Sequence, residues 1–151
     1  MARLALVVDA SVGVKWFSDR GESGLAAALA IRDDHMAGEH RILVPDLFFY
    51  EVANALAHKP YMPTEVVQRA AQTLFAFGLE TIPMSGPLMN VSIGLARDLG
   101  ITVYDACYAA LARERGCPLV TANPRHQGRD LGCQIISIEK WLPGERQGPL
   151  R

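Results

Sequence analysis

Short, wholly apolar runs alternate along the chain with longer segments in which apolar residues recur at helical spacing. The first run, residues 4–8 (LALVV), includes two β-branched residues, which is typical of a strand buried on both faces of a parallel sheet. By the same reasoning, further strands are predicted at residues 41–45, 79–82, 118–121 and 134–138.

Helices are predicted between the strands, where the apolar spacing is bounded by capping residues and by glycine or proline. A short helical turn is expected at residues 12–17, and Thr64, Ser85 and Asp105 are candidate helix starts. Longer helices are predicted over residues 22–37, 46–59, 64–77, 86–99 and 105–115. Strands that alternate with helices predict a three-layer α/β/α sandwich with a mostly parallel central sheet.

Length and composition predict a single packed domain. The chain has 151 residues, of which half are apolar and 21% are charged, and this balance excludes a disordered protein. We expect one domain over residues 1–142 and a mobile tail over residues 143–151, which is rich in proline, glycine and polar residues. The net charge of -1 excludes a protein that coats nucleic acid through bulk charge, although a local basic patch remains open.

The cysteines and the apolar runs predict the cellular location of the protein. Cys107, Cys117 and Cys133 show no CxxC spacing, so neither a disulfide framework nor a structural zinc site is supported. The apolar run at residues 4–8 is too short for a signal peptide, and no uninterrupted apolar run reaches 18 residues. We therefore expect a cytoplasmic protein without a membrane span.

Four polar residues occupy positions where a parallel sheet can bind ligands, beyond the carboxyl ends of its strands. Asp9 follows the first strand, Asp105 begins a helix, and Asn123 follows the strand at residues 118–121. Glu51 lies among apolar residues of a predicted helix. Each carboxylate has an ordinary alternative, since Asp9 and Asp105 can cap helices and Glu51 can lie on a solvated face. Taken together, oxygen donors from several elements predict a hard-cation site for Mg²⁺ or Mn²⁺.

Motifs of several other catalytic classes are absent. The chain has no GxGxxG, GxxxxGK[ST] or GxSxG sequence, which excludes dinucleotide, P-loop and serine-hydrolase sites of those types. His35, His40 and His126 show no HxH or HxxxH spacing, so the default interpretation is that they are surface residues. His126 is kept as a candidate, because it lies beside Asn123 in an arginine-rich segment. A receiver-like signalling domain with Asp9 in an acidic pocket stays as an alternative. It is disfavoured because no suitably placed lysine follows a late strand.

Three segments resemble the signature blocks of PIN-domain ribonucleases, and in particular the VapC-like toxins of type II toxin–antitoxin systems. They are residues 7–17 (VVDASVGVKWF), 45–56 (PDLFFYEVANAL) and 102–123 (TVYDACYAALARERGCPLVTAN). The resemblance extends from the first strand to about Ile138, and it implies a PIN-like fold.

The resemblance also implies a Mg²⁺- or Mn²⁺-dependent endoribonuclease that acts as a toxin. Asp9, Glu51 and Asp105 match the acidic metal ligands of the family and are the candidate catalytic carboxylates. Asn123 stands where many relatives of this subtype have aspartate, and it joins the catalytic set as a neutral donor. Other relatives have asparagine there with an acid or histidine three residues later, and in this chain that residue is His126. Because a fourth carboxylate is missing, a weak or inactive PIN-fold module that binds nucleic acid or protein remains an alternative.

Supporting residues and partners complete these expectations. Ser11, which matches a small hydroxyl residue of the family, and Thr121 are expected to hydrogen-bond to the metal ligands. The segment over residues 113–129 is rich in arginine, and three of its residues are expected to hold the RNA backbone: Arg113, Arg125 and Arg129. A solvated charge run is the ordinary alternative. A cognate VapB-like antitoxin is the expected protein partner, and a homodimer is expected.

Overall fold

The computed structural model describes residues 3–126 and 130–141 of the chain. The predicted tail over residues 143–151, its boundary at residue 142 and Arg129 lie outside the described residues. Within these ranges no helix is long and apolar enough to cross a membrane.

The described strands form one parallel sheet. They are β1 (Leu4–Val8), β2 (His40–Pro45), β3 (Glu80–Ile82), β4 (Leu119–Thr121) and β5 (Ile135–Ser137). Their order across the sheet is β3-β2-β1-β4-β5, and every adjacent pair among them runs parallel. All five strands were predicted from the sequence, and the predicted mostly parallel sheet is confirmed.

Helices connect the strands and complete the layers. They are α1 (Ala10–Val14), α2 (Leu25–Met36), α3 (Leu47–Ala57), α4 (Thr64–Ala76), α5 (Gly86–Leu99) and α6 (Val103–Arg115). Parallel strands need such crossover connections, and helices on both faces explain why β1 and β2 are almost wholly apolar. Leu6, Val7, Ile42 and Leu43 are fully or almost fully buried. The predicted three-layer α/β/α sandwich is confirmed.

The helix starts differ from the predicted caps at two places. The N-cap of α6 is Thr102, whose Oγ1 accepts a 3.0 Å hydrogen bond from the backbone N–H of Asp105. Asp105 therefore lies in the first turn, and its interpretation as the cap was wrong because a hydroxyl residue three positions earlier fills that role. The N-cap of α4 is Pro63, so Thr64 is the first helical residue. Ser85 caps α5 as expected.

The order in which strands are added to the sheet reverses between β1 and β4. From β1 it proceeds to β2 and β3 on one side, and it then returns to add β4 and β5 on the other. Val8 pairs with Val120 across this junction, and the backbone N–H of Asp9 donates a 3.3 Å hydrogen bond to the carbonyl of Val120. A crevice beyond the carboxyl ends of two such strands is the usual ligand site in open parallel sheets.

Helices α1 and α3, which follow β1 and β2, pack closely against each other. Gly13 lies where a Cβ atom would come within 2.6 Å of Cζ of Phe48 and 2.9 Å of a Val52 methyl group. These distances leave no room for a side chain at position 13. Because Asp9 caps α1 and Glu51 lies on α3, this contact helps to hold both carboxylates at the same end of the sheet.

Candidate active site

Asp9 lies directly after β1 and is buried, with 6% of its surface exposed. Its Oδ1 accepts hydrogen bonds from the backbone N–H and the hydroxyl group of Ser11, and its Oδ2 accepts one from the hydroxyl group of Thr121. Burial raises the pKa of Asp9, while the bonds from Ser11 and Thr121 oppose that rise. Asp9 is thus both the N-cap of α1 and a carboxylate held rigidly at the strand switch.

Ser11 and Thr121 tie the ends of β1 and β4 together around this carboxylate. Ser11 Oγ accepts a 2.9 Å hydrogen bond from the backbone N–H of Ala122. Thr121 Oγ1 accepts a 3.0 Å bond from the backbone N–H of Asn123. Both hydroxyls donate to Asp9 and accept from backbone N–H groups of the loop after β4.

Glu51 reaches the same end of the sheet from α3. Its Oε1 accepts a 2.6 Å hydrogen bond from the hydroxyl group of Tyr108 on α6. Burial raises the pKa of Glu51, the charges of Asp105 and Asp9 raise it further, and the bond from Tyr108 opposes the rise. The charges of Asp9 and Asp105 thus act on Glu51 at this end of the sheet. Asn54 and His58 on the same helix are exposed, whereas Glu51 is half-buried. The alternative interpretation, a purely solvated helix face, therefore describes Asn54 and His58 better than it describes Glu51.

Asp105 presents its carboxylate to this site from the first turn of α6. Because Thr102 caps the helix, the side chain of Asp105 is not used for capping, and about a third of it is exposed. Its Oδ1 lies 4.0 Å from Nε2 of His126. Within the acidic cluster of Asp9, Glu51 and Asp105, Asp105 is therefore more accessible to a ligand than Asp9.

Asn123 lies in the loop after β4. Its Oδ1 accepts a 3.0 Å hydrogen bond from the backbone N–H of Arg125, which is an Asx turn at the start of the 3₁₀ turn Pro124–His126. Its Nδ2 lies 3.4 Å from Nε2 of His126. The structure thus brings Asn123 to the site, with one side of its amide used for the turn.

The arginines are divided between two ends of the molecule. Arg125 is exposed on the 3₁₀ turn next to Asn123. Arg113 lies about 12 Å along α6 from Asp105, at 1.5 Å per residue, and its side chain packs where a Cβ on Gly132 would lie. Together with Leu4 and Pro118 it lines a cavity of about 300 Å³ at the amino ends of the strands. The structure does not bring Arg113 to the acidic cluster.

A family model for the PIN domain matches residues 6–130 of the chain. This chain is a member of the PIN-domain family. The match covers most of the chain and includes the acidic cluster, and the resemblance inferred from the three sequence segments is confirmed. No curated protein sequence gives a significant match.

Solved structures with the same fold include components of toxin–antitoxin systems. A toxin–antitoxin complex from Klebsiella pneumoniae aligns with a TM-score of 0.65 and 16% identity, over 88% of this chain and 97% of that one. VapBC2 from Rickettsia felis bound to a DNA fragment from their promoter gives 0.67 and 14%, over 89% and 98%. PAE2754 from Pyrobaculum aerophilum gives 0.64 and 24%, over 90% of each chain. At these identities the similarity establishes the fold.

The donor set of this PIN domain fits a hard divalent cation by its chemistry. It consists of carboxylate oxygens, and within the described ranges no lysine or arginine nitrogen lies within 4.0 Å of Asp9, Glu51 or Asp105. Uncompensated carboxylates that repel one another favour a cation between them. Among the described residues, however, no three acidic, histidine or cysteine side chains are already arranged around one point as ligands.

Two residues of the site were missed or misinterpreted in the sequence. Tyr108 lies three residues after Asp105 on α6, a spacing that puts both on one side of a helix, so helical periodicity could have found it. His126 was expected at the surface, and this was wrong: 4% of it is exposed, because the 3₁₀ turn folds it against Asp105 and Asn123. His40 is buried as well, since its Nε2 bonds to the carbonyl of Ile31.

Proposed function

We propose that this PIN domain is a Mg²⁺- or Mn²⁺-dependent endoribonuclease that acts as the toxin of a toxin–antitoxin pair. The observation that carries the proposal is that Asp9, Glu51 and Asp105 lie close enough at the strand switch for the charges of Asp9 and Asp105 to act on Glu51, while no lysine or arginine of the described residues lies within 4.0 Å of any of the three. Three oxygen-donor carboxylates in a crevice are suited to metal-assisted hydrolysis of a phosphodiester.

Asp9, Glu51 and Asp105 would hold the divalent cation, which would supply activation of the attacking water and offset the charge that develops on the phosphoryl group. Asp9 has a fixed position, since Ser11 and Thr121 hold both of its oxygens. Glu51 has one oxygen fixed by Tyr108, which leaves the other to orient a water molecule. Asn123 is the proposed neutral donor of the site, although its oxygen also accepts from the backbone N–H of Arg125. Arg125 supplies positive charge for the RNA backbone.

RNA cleavage by purified protein tests this proposal. We expect total RNA to be cleaved in the presence of Mg²⁺ or Mn²⁺, and cleavage to stop when EDTA is added. The Asp9→Asn variant should be inactive, whereas Asp98→Asn, which removes an exposed carboxylate of α5, should cleave like the wild type. Full activity of Asp9→Asn would overturn the assignment of the site.

The toxin role predicts an antitoxin that reaches the acidic cluster. The fold shared with toxin–antitoxin complexes supports such a partner. A basic side chain of a VapB-like antitoxin, above all an arginine, can pair with two carboxylates in place of the cation. We expect the co-expressed antitoxin to bind the Asp9→Asn, Asp105→Asn double variant at least tenfold more weakly. Equal affinity would exclude this mode of inhibition.

A homodimer in the cytoplasm is part of the same proposal. Helix α4 leaves apolar groups uncovered, since Phe75 is 62% exposed and stacks on Phe49 of α3 with ring centroids 4.7 Å apart. Together with Tyr50 and Leu79 these rings line a groove of about 590 Å³. Light scattering of the wild type and of Phe75→Glu tests the dimer, which is excluded if both are monomeric at micromolar concentration.

The second candidate function is a PIN-fold module that binds RNA without cleaving it. It is favoured by Asn123, which lacks the charge of an aspartate, and by the absence of a ready ligand group among the described residues. The same cleavage assay separates the two functions. RNA binding without metal-dependent cleavage supports the second.

A further inference from the structure

Helix α6 is buried along most of its length and is accessible at its ends. Every side chain from Ala106 to Ala112 is buried, whereas Tyr104 in the first turn is 62% exposed. Asp105, the next residue, is about a third exposed. The amino end of α6 therefore presents a large aromatic ring and, one residue later, the accessible carboxylate of the acidic cluster.

The ring of Tyr104 is open to a ligand, unlike those of the other exposed aromatic residues in the described ranges. Tyr50 and Phe75 line the groove between α3 and α4. Tyr61 has the guanidinium carbon of Arg20 4.5 Å from the centre of its ring. Among the described residues, no aromatic ring and no cation packs on the ring of Tyr104. Tyrosine rings with one open face are common at binding surfaces, because they supply a large apolar area.

The backbone that carries this ring is held by hydrogen bonds on both sides. Thr102 Oγ1 accepts a 3.0 Å bond from the backbone N–H of Asp105, and the thiol of Cys107 donates a 3.0 Å bond to the carbonyl of Tyr104. These bonds fix the first turn of α6. A tyrosine on a fixed backbone has only two side-chain torsions to order, so its ring binds a ligand at a low cost in conformational entropy.

A ring and a positive charge lie next to the same carboxylate. Asp105 Oδ1 is 4.0 Å from His126 Nε2, and an exposed residue precedes each of them in the chain, namely Tyr104 and Arg125. Single-stranded RNA requires this combination, since its bases stack on aromatic rings and its phosphates pair with cations. We propose that Tyr104 is a stacking platform for an unpaired base of the RNA, in a nucleotide next to the scissile phosphate. This inference rests on the proposed ribonuclease function and adds a substrate-binding residue to it.

Stacking differs from a phosphate contact in its dependence on salt. Each lost phosphate contact lowers the dependence of RNA affinity on salt concentration, because fewer counterions are released on binding. The ring of Tyr104 is uncharged, so its removal should weaken binding and leave the salt dependence unchanged. A base that is paired in a duplex cannot reach the ring. We therefore expect the contribution of Tyr104 to be present for single-stranded RNA and absent for a duplex of the same sequence.

Fluorescence of a labelled RNA oligonucleotide tests the platform directly. The oligonucleotide spans a cleavage site mapped with the wild type, and the full-length Asp9→Asn protein binds it without cutting. The base on each side of the scissile phosphate is replaced in turn by 2-aminopurine, whose fluorescence is quenched when it stacks on an aromatic ring. Binding should quench one of the two probes. The quenching should persist with Tyr104→Phe, which keeps the ring, and should be lost with Tyr104→Ala.

Affinities measured on the same oligonucleotide complete the experiment. We expect Tyr104→Ala to weaken binding by about tenfold. The variant should fold, because the side chain is exposed and alanine favours a helix. Ile93→Ala, which removes an exposed apolar side chain of α5, is the control and should bind like its parent. Unchanged quenching and affinity in Tyr104→Ala, with a wild type that cleaves RNA, would overturn the role of Tyr104 and leave the proposed function intact. A wild type that does not cleave RNA would overturn both.

Discussion

The hydroxyl group of Tyr108 on α6 donates a 2.6 Å hydrogen bond to Oε1 of Glu51 on α3. Tyr108 is almost fully buried, and burial, the bond to Glu51 and the nearby negative charge raise the pKa of its phenol. The phenol therefore stays protonated and acts as a permanent donor. It joins the two helices that carry Glu51 and Asp105.

The substitution Tyr108→Phe removes this donor. The pKa of Glu51 should then rise further, because in the wild type the bond from Tyr108 opposes the effect of burial. A metal binds the ionised carboxylate, so metal binding should require a higher pH in the variant. Mn²⁺ titrations between pH 5 and 8 measure this shift. We also expect a loss of about 1–2 kcal/mol in the free energy of unfolding. An unchanged pH midpoint would show that Glu51 is not a ligand.

Asp9→Asn should affect the stability of the metal-free protein in a pH-dependent way. Because burial raises the folded-state pKa of Asp9 above its unfolded value, the ionised group disfavours folding. This penalty is absent below the unfolded-state pKa, grows as the pH rises from the unfolded-state pKa to the folded-state pKa, and is constant above it. The variant should thus gain stability relative to the wild type as the pH rises toward 7. Urea unfolding with EDTA at several pH values measures the difference, with Asp98→Asn as the control. A constant loss at every pH would mean that Asp9 acts mainly as the cap of α1.

Asn123→Asp should tighten Mg²⁺ binding by adding a fourth negative charge. The turn should persist, since aspartate can accept the bond from the N–H of Arg125 as asparagine does. Half-maximal cleavage should require less Mg²⁺ in the variant than in the wild type. If the Mg²⁺ concentration for half-maximal cleavage does not change, Asn123 acts only in the turn and is not a site residue.

Arg125→Ala should weaken RNA binding about equally for all sequences, and the dependence of affinity on salt should fall by about one phosphate contact. The background for this measurement is the Asp9→Asn protein, so that cleavage does not interfere. Arg113→Ala is the matched control, because Arg113 lies at the other end of the sheet. An equal loss in both variants would point to a general effect of charge.

Gly13→Ala should destabilise the protein by about 1–3 kcal/mol through overpacking. The new methyl group would overlap Phe48 and Val52, which hold α1 against α3. Gly94→Ala is the control, since Gly94 lies inside α5 with no atom in the way. That variant should be as stable as the wild type or up to about 1 kcal/mol more stable. Chemical denaturation of both proteins measures the contrast. Equal stabilities would mean that α1 can shift without cost.

The strands and the location of the site were predictable from the sequence. Strands buried on both faces, such as β1, must be apolar throughout, and this pattern is visible in a few consecutive residues. The first polar residue after such a strand then lies at the carboxyl edge of the sheet. Asp9 and Asn123 were found by this rule, because it depends on chain direction and burial and not on contacts between distant residues.

The contacts that complete the site were decided by the tertiary structure. Glu51 and Tyr108 are separated by 57 positions, and no local pattern pairs them. Whether Asp105 caps its helix depended on competition with Thr102, which the sequence left open. The burial of His126 arises from a short turn that closes on Asp105. A local pattern determines which side of an element is apolar, whereas the distance between two polar side chains depends on how whole elements pack, and that packing is a property of the entire chain.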